Sequence, residues 1–165
     1  MRGMTRRFLI ASAVSFLAGC ATKSRRYKGP AVTRVVVFKN ARTMYLVNGK
    51  KVLRAYNIDL GFAPKGDKTR EGDGKTPEGA YYINRRNPES DFHLSLGINY
   101  PNARDVAQAK ALGVNPGGDI FIRGEGNPVS RLFRDWTWGC IAVSNKEMEE
   151  VYSMVRVGTP IHIHR

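Results

Sequence analysis

Short apolar runs separated by turn residues dominate the chain after residue 31, and they predict β-strands. The runs VTRVVVF, AYYIN, FHLSLGINY and DIFIRG are rich in β-branched and aromatic residues. In TMYLVNGKKVLRAYNIDL, Asn48 and Gly49 stand between two apolar runs and predict a β-hairpin. A long segment dense in glycine, proline and charge, Gly61–Gly79, predicts a loop.

Two segments carry helix signals instead. In DVAQAKAL, Asp105 is expected to cap a short helix that stops at Gly113. Ser144 and Glu147 form a capping box, and a second helix that Gly158 ends should follow. Its apolar face has helical spacing and consists of Met148, Val151, Tyr152 and Val155. The pattern predicts a mainly β domain, sandwich-like or barrel-like, with two short helices.

The first twenty residues predict an export signal rather than part of the core. A basic start is followed by FLIASAVSFLAGC, which is too short to span a membrane and has no polar face for a buried amphipathic helix. The LAGC stretch resembles a bacterial lipobox, so Cys20 is expected to carry lipid and to become the mature N-terminus. TRRFL resembles a twin-arginine signal only weakly, so the export route and the membrane that holds the lipid stay open.

This organisation predicts a signal peptide with lipobox at 1–20, a basic tether at 21–31 and one domain at 32–165. The expected location is the periplasm or cell envelope, with lipid anchoring to a membrane. The formal net charge of +13 then indicates an anionic cell-wall polymer or acidic lipid as partner. Nucleic acid is disfavoured by export and by the absence of an aromatic-interleaved basic run.

The chain contains two cysteines, so a lipidated Cys20 would leave Cys140 without a partner. A lone thiol in an oxidising compartment is a candidate reactive group, and a buried inert cysteine is the alternative. Cys140 follows a glycine and precedes an apolar run in RDWTWGCIAVSN, as a presented nucleophile would.

Four segments occur in an order that resembles a known family. DGKTPEGAYYI, LSLGINYPN, DIFIRG and DWTWGCIAVSN are similar to the L,D-transpeptidase (YkuD-type) catalytic domain, especially a branch that reads DWTxGCIAV. The resemblance covers Val32–Ile163 and implies a β-sandwich-like fold and action on peptidoglycan. In such enzymes a cysteine attacks the carbonyl of the third stem-peptide residue, usually diaminopimelate, and expels D-alanine. The thioester then passes to an amine or to water.

The resemblance places Cys140 at the nucleophile position, and the N–H groups of Gly139 and Cys140 could form an oxyanion hole. The family's catalytic histidine position holds Arg123. Arginine cannot act as a general base because it stays protonated, although a cation near a thiol favours the thiolate. Of the histidines, His93 is the preferred surrogate base, and His162 and His164 share one face of the last strand.

Other residues could shape the substrate groove, with turn formation or packing as the alternative for several of them. They are Thr76, Pro77, Glu78, Gly124, Trp136, Thr137 and Trp138. Ala142 replaces an arginine that many members carry, which weakens any inference about substrate detail. We expect no metal and no cofactor, because His162-x-His164 lacks a third ligand, and we expect a monomer.

Three functions remain open from the sequence. The first is a cysteine acyltransferase or peptidase that acts on stem peptides. The second is a pseudoenzyme that serves as a lipid-anchored peptidoglycan-binding module, because Arg123 occupies the histidine position. The third, less favoured, is a β domain for protein contacts in the envelope. The residues do not separate a transpeptidase from a carboxypeptidase or endopeptidase, and they do not name the acyl acceptor.

Overall fold

The computed structural model describes residues 27–127, 129 and 132–165. The predicted leader, the lipidation of Cys20 and most of the tether lie outside the described residues. Among the described residues, no helix has the length and apolar character needed to cross a membrane.

Eight strands and two helices make up the domain. The strands are β1 (Arg34–Phe38), β2 (Thr43–Asn48), β3 (Lys51–Asn57), β4 (Gly79–Ser90), β5 (His93–Ile98), β6 (Phe121–Arg123), β7 (Ile141–Ala142) and β8 (Pro160–His164). The helices are α1 (Ala103–Ala111) and α2 (Asn145–Met154). The prediction of a mainly β fold with two short helices is confirmed.

The strands form one sheet in the order β3-β2-β1-β8-β4-β5-β6-β7. The long strand β4 joins the two halves, because its first residues pair with β8 and its later residues pair with β5. The pairs β1–β8 and β6–β7 are parallel, and the other pairs are antiparallel. At the β7 edge, Arg123 lies opposite Ala142, so the parallel β6–β7 pair brings the segment after Ile120 beside the segment that contains Cys140.

The predicted hairpin is confirmed, because β2 ends at Asn48 and Gly49 has a φ of +57°. The predicted cap of α1 is wrong. Asn102 is the N-cap, and its side chain accepts from the N–H groups of Arg104 and Asp105. Asp105 instead occupies the third helical position and accepts from the Asn102 N–H, which completes a capping box.

The capping box of Ser144 and Glu147 on α2 is confirmed. The helix ends at Met154 with Val155 as its C-cap, so it stops before the predicted end at Gly158. A cation on β4 stabilises this end of the helix. Arg86 of β4 stacks 3.8 Å above the Tyr152 ring and donates to the carbonyls of Tyr152 and Val155. These bonds satisfy carbonyls that an ending helix leaves free.

Three buried tyrosines predict an alkaline limit to stability. Burial raises the pKa of Tyr56, Tyr81 and Tyr100, and each hydroxyl donates a hydrogen bond, to Glu150, Asp105 and the Pro116 carbonyl respectively. Above about pH 10 the unfolded chain releases these protons while the folded chain retains them. The free energy of unfolding should therefore fall as pH rises, by up to about 1.4 kcal/mol per pH unit for each tyrosine.

Urea unfolding between pH 9 and 11 measures this slope. Tyr81→Phe should make the slope shallower because it removes one of the protons involved. Tyr82→Phe is the matched control, because Tyr82 is half exposed and should leave the slope unchanged. Equal slopes in all three proteins would contradict the assignment.

Candidate active site

The loop that follows β3 holds the turn that carries Cys140. Asp59 and Ala142 exchange two backbone hydrogen bonds of 2.9 and 2.8 Å. Thr137 donates to the Leu60 carbonyl, and the Phe62 N–H donates to the Thr137 carbonyl. Residues 137–142 are thus bonded on one side to the 58–62 loop and on the other, through β7, to β6.

Asp135 and Thr137 of the DWT motif stabilise this turn from within. The Asp135 carboxylate accepts hydrogen bonds from Nε and Nη2 of Arg42, at 2.9 and 2.6 Å. It also accepts one from the Leu60 N–H. Thr137 is fully buried, and its hydroxyl donates to the Cys140 carbonyl at 2.7 Å. These two residues therefore fix the backbone around the thiol rather than present groups to solvent.

Gly139 sits where three loops meet. Its φ is +125°, and a Cβ there would lie 2.6 Å from the Lys75 carbonyl oxygen and 3.0 Å from Ile120 Cδ1. Its N–H donates to the Thr137 hydroxyl at 3.1 Å. An oxyanion would have to compete with this hydroxyl for the Gly139 N–H, so its part in an oxyanion hole remains a proposal.

Gly139→Ala should lower the free energy of unfolding by about 2 kcal/mol, because the new methyl group meets a carbonyl and the backbone becomes strained. Chemical denaturation monitored by tryptophan fluorescence measures the change. Gly49→Ala is the control, because Gly49 also has positive φ but has no atom within 4 Å of the added carbon. Equal losses for both variants would show that the close approach at Gly139 carries no cost of its own.

The Cys140 thiol is a free cysteine and is partly exposed. Its Sγ lies 3.6 Å from the Asp119 carbonyl oxygen. Asp119 has a φ of +55°, and its carboxylate pairs with Arg85 at 2.8 Å. The thiol is therefore accessible from outside and is not sealed within the core.

Arg123 reaches the thiol from the neighbouring strand. Only 5% of the residue is exposed, and its guanidinium carbon lies 3.5 Å from the centre of the Phe92 ring and 4.6 Å from that of Trp136. Burial lowers the pKa of Arg123, and the neighbouring Cys140 side chain opposes this shift. Its Nη1 donates to the Gly124 carbonyl at 3.3 Å, and Nε has no hydrogen-bond partner among the described residues. A desolvated cation thus stands beside the thiol.

His93 has a different partner. It adopts a φ of +71°, and its Nε2 lies 2.9 Å from Glu149 Oε1 of α2. Glu149 therefore orients the imidazole through Nε2, and a role of His93 as surrogate base stays a prediction. His162 and His164 lie on β8 in the middle of the sheet, whereas Cys140 borders β7 at its edge.

Gly124 lies beside the start of α2 and the β4–β5 turn. A Cβ at Gly124 would lie 2.5 Å from Asn145 Oδ1 and 2.7 Å from the Phe92 carbonyl oxygen. The same Asn145 oxygen accepts from the N–H groups of Glu125 and Gly126. Gly124 is therefore required for close backbone packing, and it is buried.

The T-P-E-G stretch is anchored from the interior by a residue that sequence reasoning missed. Lys39 is 1% exposed, and its Nζ donates to the carbonyls of Gly66 and Thr76 at 2.6 and 2.7 Å and to Glu78 at 2.9 Å. The Thr76 hydroxyl in turn accepts from the Gly61 N–H. A lysine just after a strand gives no sign of burial in the sequence, so no signal could have identified it.

A second anchor of the same loop is Asp73, which the sequence could have revealed. Its carboxylate accepts from the N–H groups of Thr69, Arg70 and Lys75 and from the Lys68 ammonium. The backbone bonds outweigh burial and lower the pKa of Asp73. Aspartate in a glycine-rich segment commonly bonds to nearby backbone in this way. Thr76 and Pro77 are buried, and Glu78 binds Lys39, so all three hold the loop in place.

The two tryptophans differ in exposure. Trp138 is 71% exposed and meets the Phe62 ring edge-on at 5.0 Å. The two rings form an exposed aromatic pair, and Trp138 lies two residues before Cys140. Trp136 is half-buried between Arg123 and a cleft of about 470 Å³. We call this cleft the chamber; its lining is Asn57, Ile58, Asp59, Glu125, Leu132, Arg134, Trp136, Ala142, Val143 and Ser144.

Among the described residues no group of three histidine, cysteine, aspartate or glutamate side chains is placed to hold a metal ion.

Comparison with known proteins gives consistent results. A model of the L,D-transpeptidase catalytic domain (YkuD) matches residues 32–163. A protein of Escherichia coli strain K12 named "Putative L,D-transpeptidase YafK" is 29% identical over 127 residues, which are 73% of this chain and 46% of that protein. The chain thus spans about half the length of this curated relative.

Solved structures show the same fold. The helical cell shape determining protein Pgp2 from Campylobacter jejuni is 28% identical, with a TM-score of 0.64, over 84% of this chain and 48% of that one. Bd1075 from Bdellovibrio bacteriovorus is 25% identical, with a TM-score of 0.56, over 81% of this chain and 48% of that one.

Proposed function

This chain belongs to the YkuD family of L,D-transpeptidase catalytic domains, and on that premise we propose that Cys140 forms a thioester with peptidoglycan stem peptides. The observation that carries the proposal is the partly exposed Cys140 with the buried guanidinium of Arg123 near it on the neighbouring strand. A neighbouring cation favours the thiolate, which is the nucleophilic form of cysteine.

The chemistry follows from this pairing. The thiolate attacks the carbonyl carbon of the third stem residue, a C–S bond forms, and the C–N bond to the terminal D-alanine breaks. The departing amine takes a proton from solvent, because Arg123 stays protonated throughout. The N–H groups of Gly139 and Cys140 would stabilise the oxyanion. The thioester then passes to an amine or to water, which makes the protein a transpeptidase or a peptidase.

Place and partner belong to the same proposal. We place the protein at the cell envelope, where a lipid on Cys20 would tether it and the peptidoglycan would be within reach. The positive charge of the chain suits an anionic polymer.

A second candidate function is favoured by one specific observation. Arg123, which stands at the family's histidine position, cannot transfer a proton. A domain of this kind could bind stem peptides without turning them over, as a lipid-anchored peptidoglycan-binding module.

Intact mass spectrometry separates the two functions. The purified protein is incubated with a disaccharide–tetrapeptide muropeptide, and the expected result is a mass increase equal to the tripeptide muropeptide acyl group, accompanied by free D-alanine. Cys140→Ser should show no stable adduct. Binding of the muropeptide without adduct or D-alanine would support the binding module, and neither binding nor adduct would reject both functions.

A further inference from the structure

The half of the sheet formed by β3, β2, β1, β8 and the start of β4 has one face turned away from the core. Side chains alternate along each strand, so residues such as Val35 and Ile161 are buried while their neighbours point outward. We call this outer face the ring face, after the side chains that it presents: Arg34, Phe38, Tyr45, Tyr82, His162 and His164. All six are partly or largely exposed, so the described residues leave the ring face open to solvent.

Four rings form a continuous row across three neighbouring strands of the ring face. The Tyr45 ring of β2 meets Phe38 of β1 edge-on with the ring centres 6.1 Å apart, and Phe38 stacks on His164 of β8 at 5.2 Å. His162 lies 6.3 Å from His164 on the same strand. Tyr82, which is 49% exposed, adds a fifth ring on β4, the next strand. A contiguous exposed surface of apolar rings marks an interaction site more often than a plain surface does.

The ring face carries positive charge and no carboxylate. Strands β1, β2, β3 and β8 contain no aspartate or glutamate, and neither does Gly79–Tyr82 of β4. Arg34 lies close enough to His162 to affect its titration, and none of the ion pairs found among the described residues involves Arg34. Burial lowers the pKa of His162, and Arg34 and His164 add to this shift. The His162 imidazole is therefore an uncharged ring near neutral pH, able to donate one hydrogen bond and accept another.

We propose that the ring face binds an acidic polysaccharide. A pyranose ring has flat faces of C–H groups, which pack on aromatic side chains, and a rim of hydroxyl groups, which bond to imidazole and phenol groups. Carboxylates along the polymer pair with the guanidinium of Arg34. An acidic peptide would use the charge but not the row of rings, and a neutral glycan would use the rings but not the charge.

The ring face lies apart from the active site. Phe38 and His164 belong to β1 and β8 in the middle of the sheet, whereas Cys140 borders β7 at its edge. The inference therefore goes beyond the proposed function, because it requires no chemistry at the thiol. A polymer held at the ring face would raise the local concentration of its other groups around the domain, since the second contact becomes intramolecular.

Glycan strands of peptidoglycan, freed from their stem peptides by an amidase, test the ring face directly. Each muramic acid then carries a free lactyl carboxylate, so the strand is an acidic polysaccharide without peptide. Fluorescence anisotropy of end-labelled strands measures binding to the native protein. Neutral chitin oligosaccharides of equal length should bind about 5-fold more weakly, because they offer rings without carboxylates.

Three substitutions separate the rings from the charge. Phe38→Ala and His164→Ala should each weaken binding of the acidic strands about 10-fold, because each interrupts the row. Arg34→Gln should weaken binding of the acidic strands about 5-fold and leave binding of the chitin oligosaccharides unchanged. Alkylation of Cys140 by iodoacetamide should keep its native rate in all three variants, which shows that the fold is intact.

Two matched controls lie outside the ring face. Phe62→Ala removes a half-exposed ring beside Trp138, and Lys110→Gln removes an exposed charge from α1. Both proteins should bind the acidic strands as the native protein does. Weaker binding by Phe62→Ala would place the glycan beside the thiol and overturn the inference.

The remaining outcomes are equally decisive. Native binding by Phe38→Ala, His164→Ala and Arg34→Gln would overturn the inference. So would binding of poly-L-glutamate as tight as that of the strands, which would reduce the ring face to a patch of charge. Binding of phosphatidylglycerol vesicles without binding of the strands would assign the face to a membrane instead. None of these results bears on the proposed function, which the muropeptide adduct on Cys140 tests by itself.

Discussion

Arg123→His is expected to speed the release of the acyl group from Cys140 by about 100-fold or more. General acid–base catalysis by a placed side chain typically contributes about 10²–10⁴-fold, and arginine cannot supply it. The native guanidinium lies between Phe92 and Trp136 and near the thiol, so an imidazole at the same position would be near the departing and the incoming amine. Free D-alanine and decay of the Cys140 adduct measure the two half-reactions.

Arg123→Met tests the effect of the positive charge on the thiol separately from proton transfer. It keeps a side chain between the two rings but removes the charge, so iodoacetamide should alkylate Cys140 about 10-fold more slowly near neutral pH. Arg86→Met is the matched control, because Arg86 is also a stacked arginine but contacts α2 and should leave alkylation unchanged. Equal alkylation of the native protein and Arg123→Met would reject the electrostatic role.

Equal turnover of the native protein and Arg123→His would show that proton transfer does not limit the reaction.

Lys39→Met should lower the free energy of unfolding by about 3 kcal/mol. The substitution leaves the carbonyls of Gly66 and Thr76 and the carboxylate of Glu78 without their shared donor. Burial lowers the pKa of Lys39, and the hydrogen bond to Glu78 opposes that shift. The loss should extend to the active site, because a loop released from Lys39 no longer holds Lys75 and Gly74 against Gly139 and Gly61.

Denaturation in guanidinium chloride measures the stability, and alkylation of Cys140 measures the effect on the site. Lys51→Met is the control, since Lys51 is exposed at the start of β3 and should change stability by less than about 0.5 kcal/mol. A loss below about 1 kcal/mol in Lys39→Met would show that water or a shifted loop replaces the ammonium at little cost.

Local patterns in the sequence predicted helices and turns correctly where a short motif favours a single structure. Asn48-Gly49 specified the hairpin, and Ser144 with Glu147 specified the start of α2. The start of α1 was missed by three residues, because Asn102 and Asp105 are both good capping residues and only the structure shows which one takes which position. The predicted end of α2 at Gly158 is too late, and Arg86, far away in the chain, bonds to carbonyls at the observed end.

The site divides in the same way. The resemblance to the family drew attention to Cys140, to Gly139 and to the arginine at position 123. It suggested His93 as a surrogate base, and the fold pairs the Nε2 of that ring with Glu149 without testing this role. It left Thr76 and Glu78 open between a groove role and a turn role, and it named Thr137 as a groove residue. In the fold, Lys39 binds the Thr76 carbonyl and the Glu78 carboxylate, and Thr137 donates to the Cys140 carbonyl. A groove role for these residues stays a prediction.

What the sequence by itself determined is the class of fold, the family and the unusual pairing of a cysteine with an arginine. The fold class follows from periodicity and turn chemistry, and the family and the pairing follow from the resemblance of four segments to the family's motifs; all of these are local patterns. What only the tertiary structure decided is the burial of Arg123 near the thiol, the burial of Lys39 and the existence of the chamber. Each of these depends on strands and loops that meet across long separations in the chain. No local sequence pattern determines which polar side chain becomes buried from solvent.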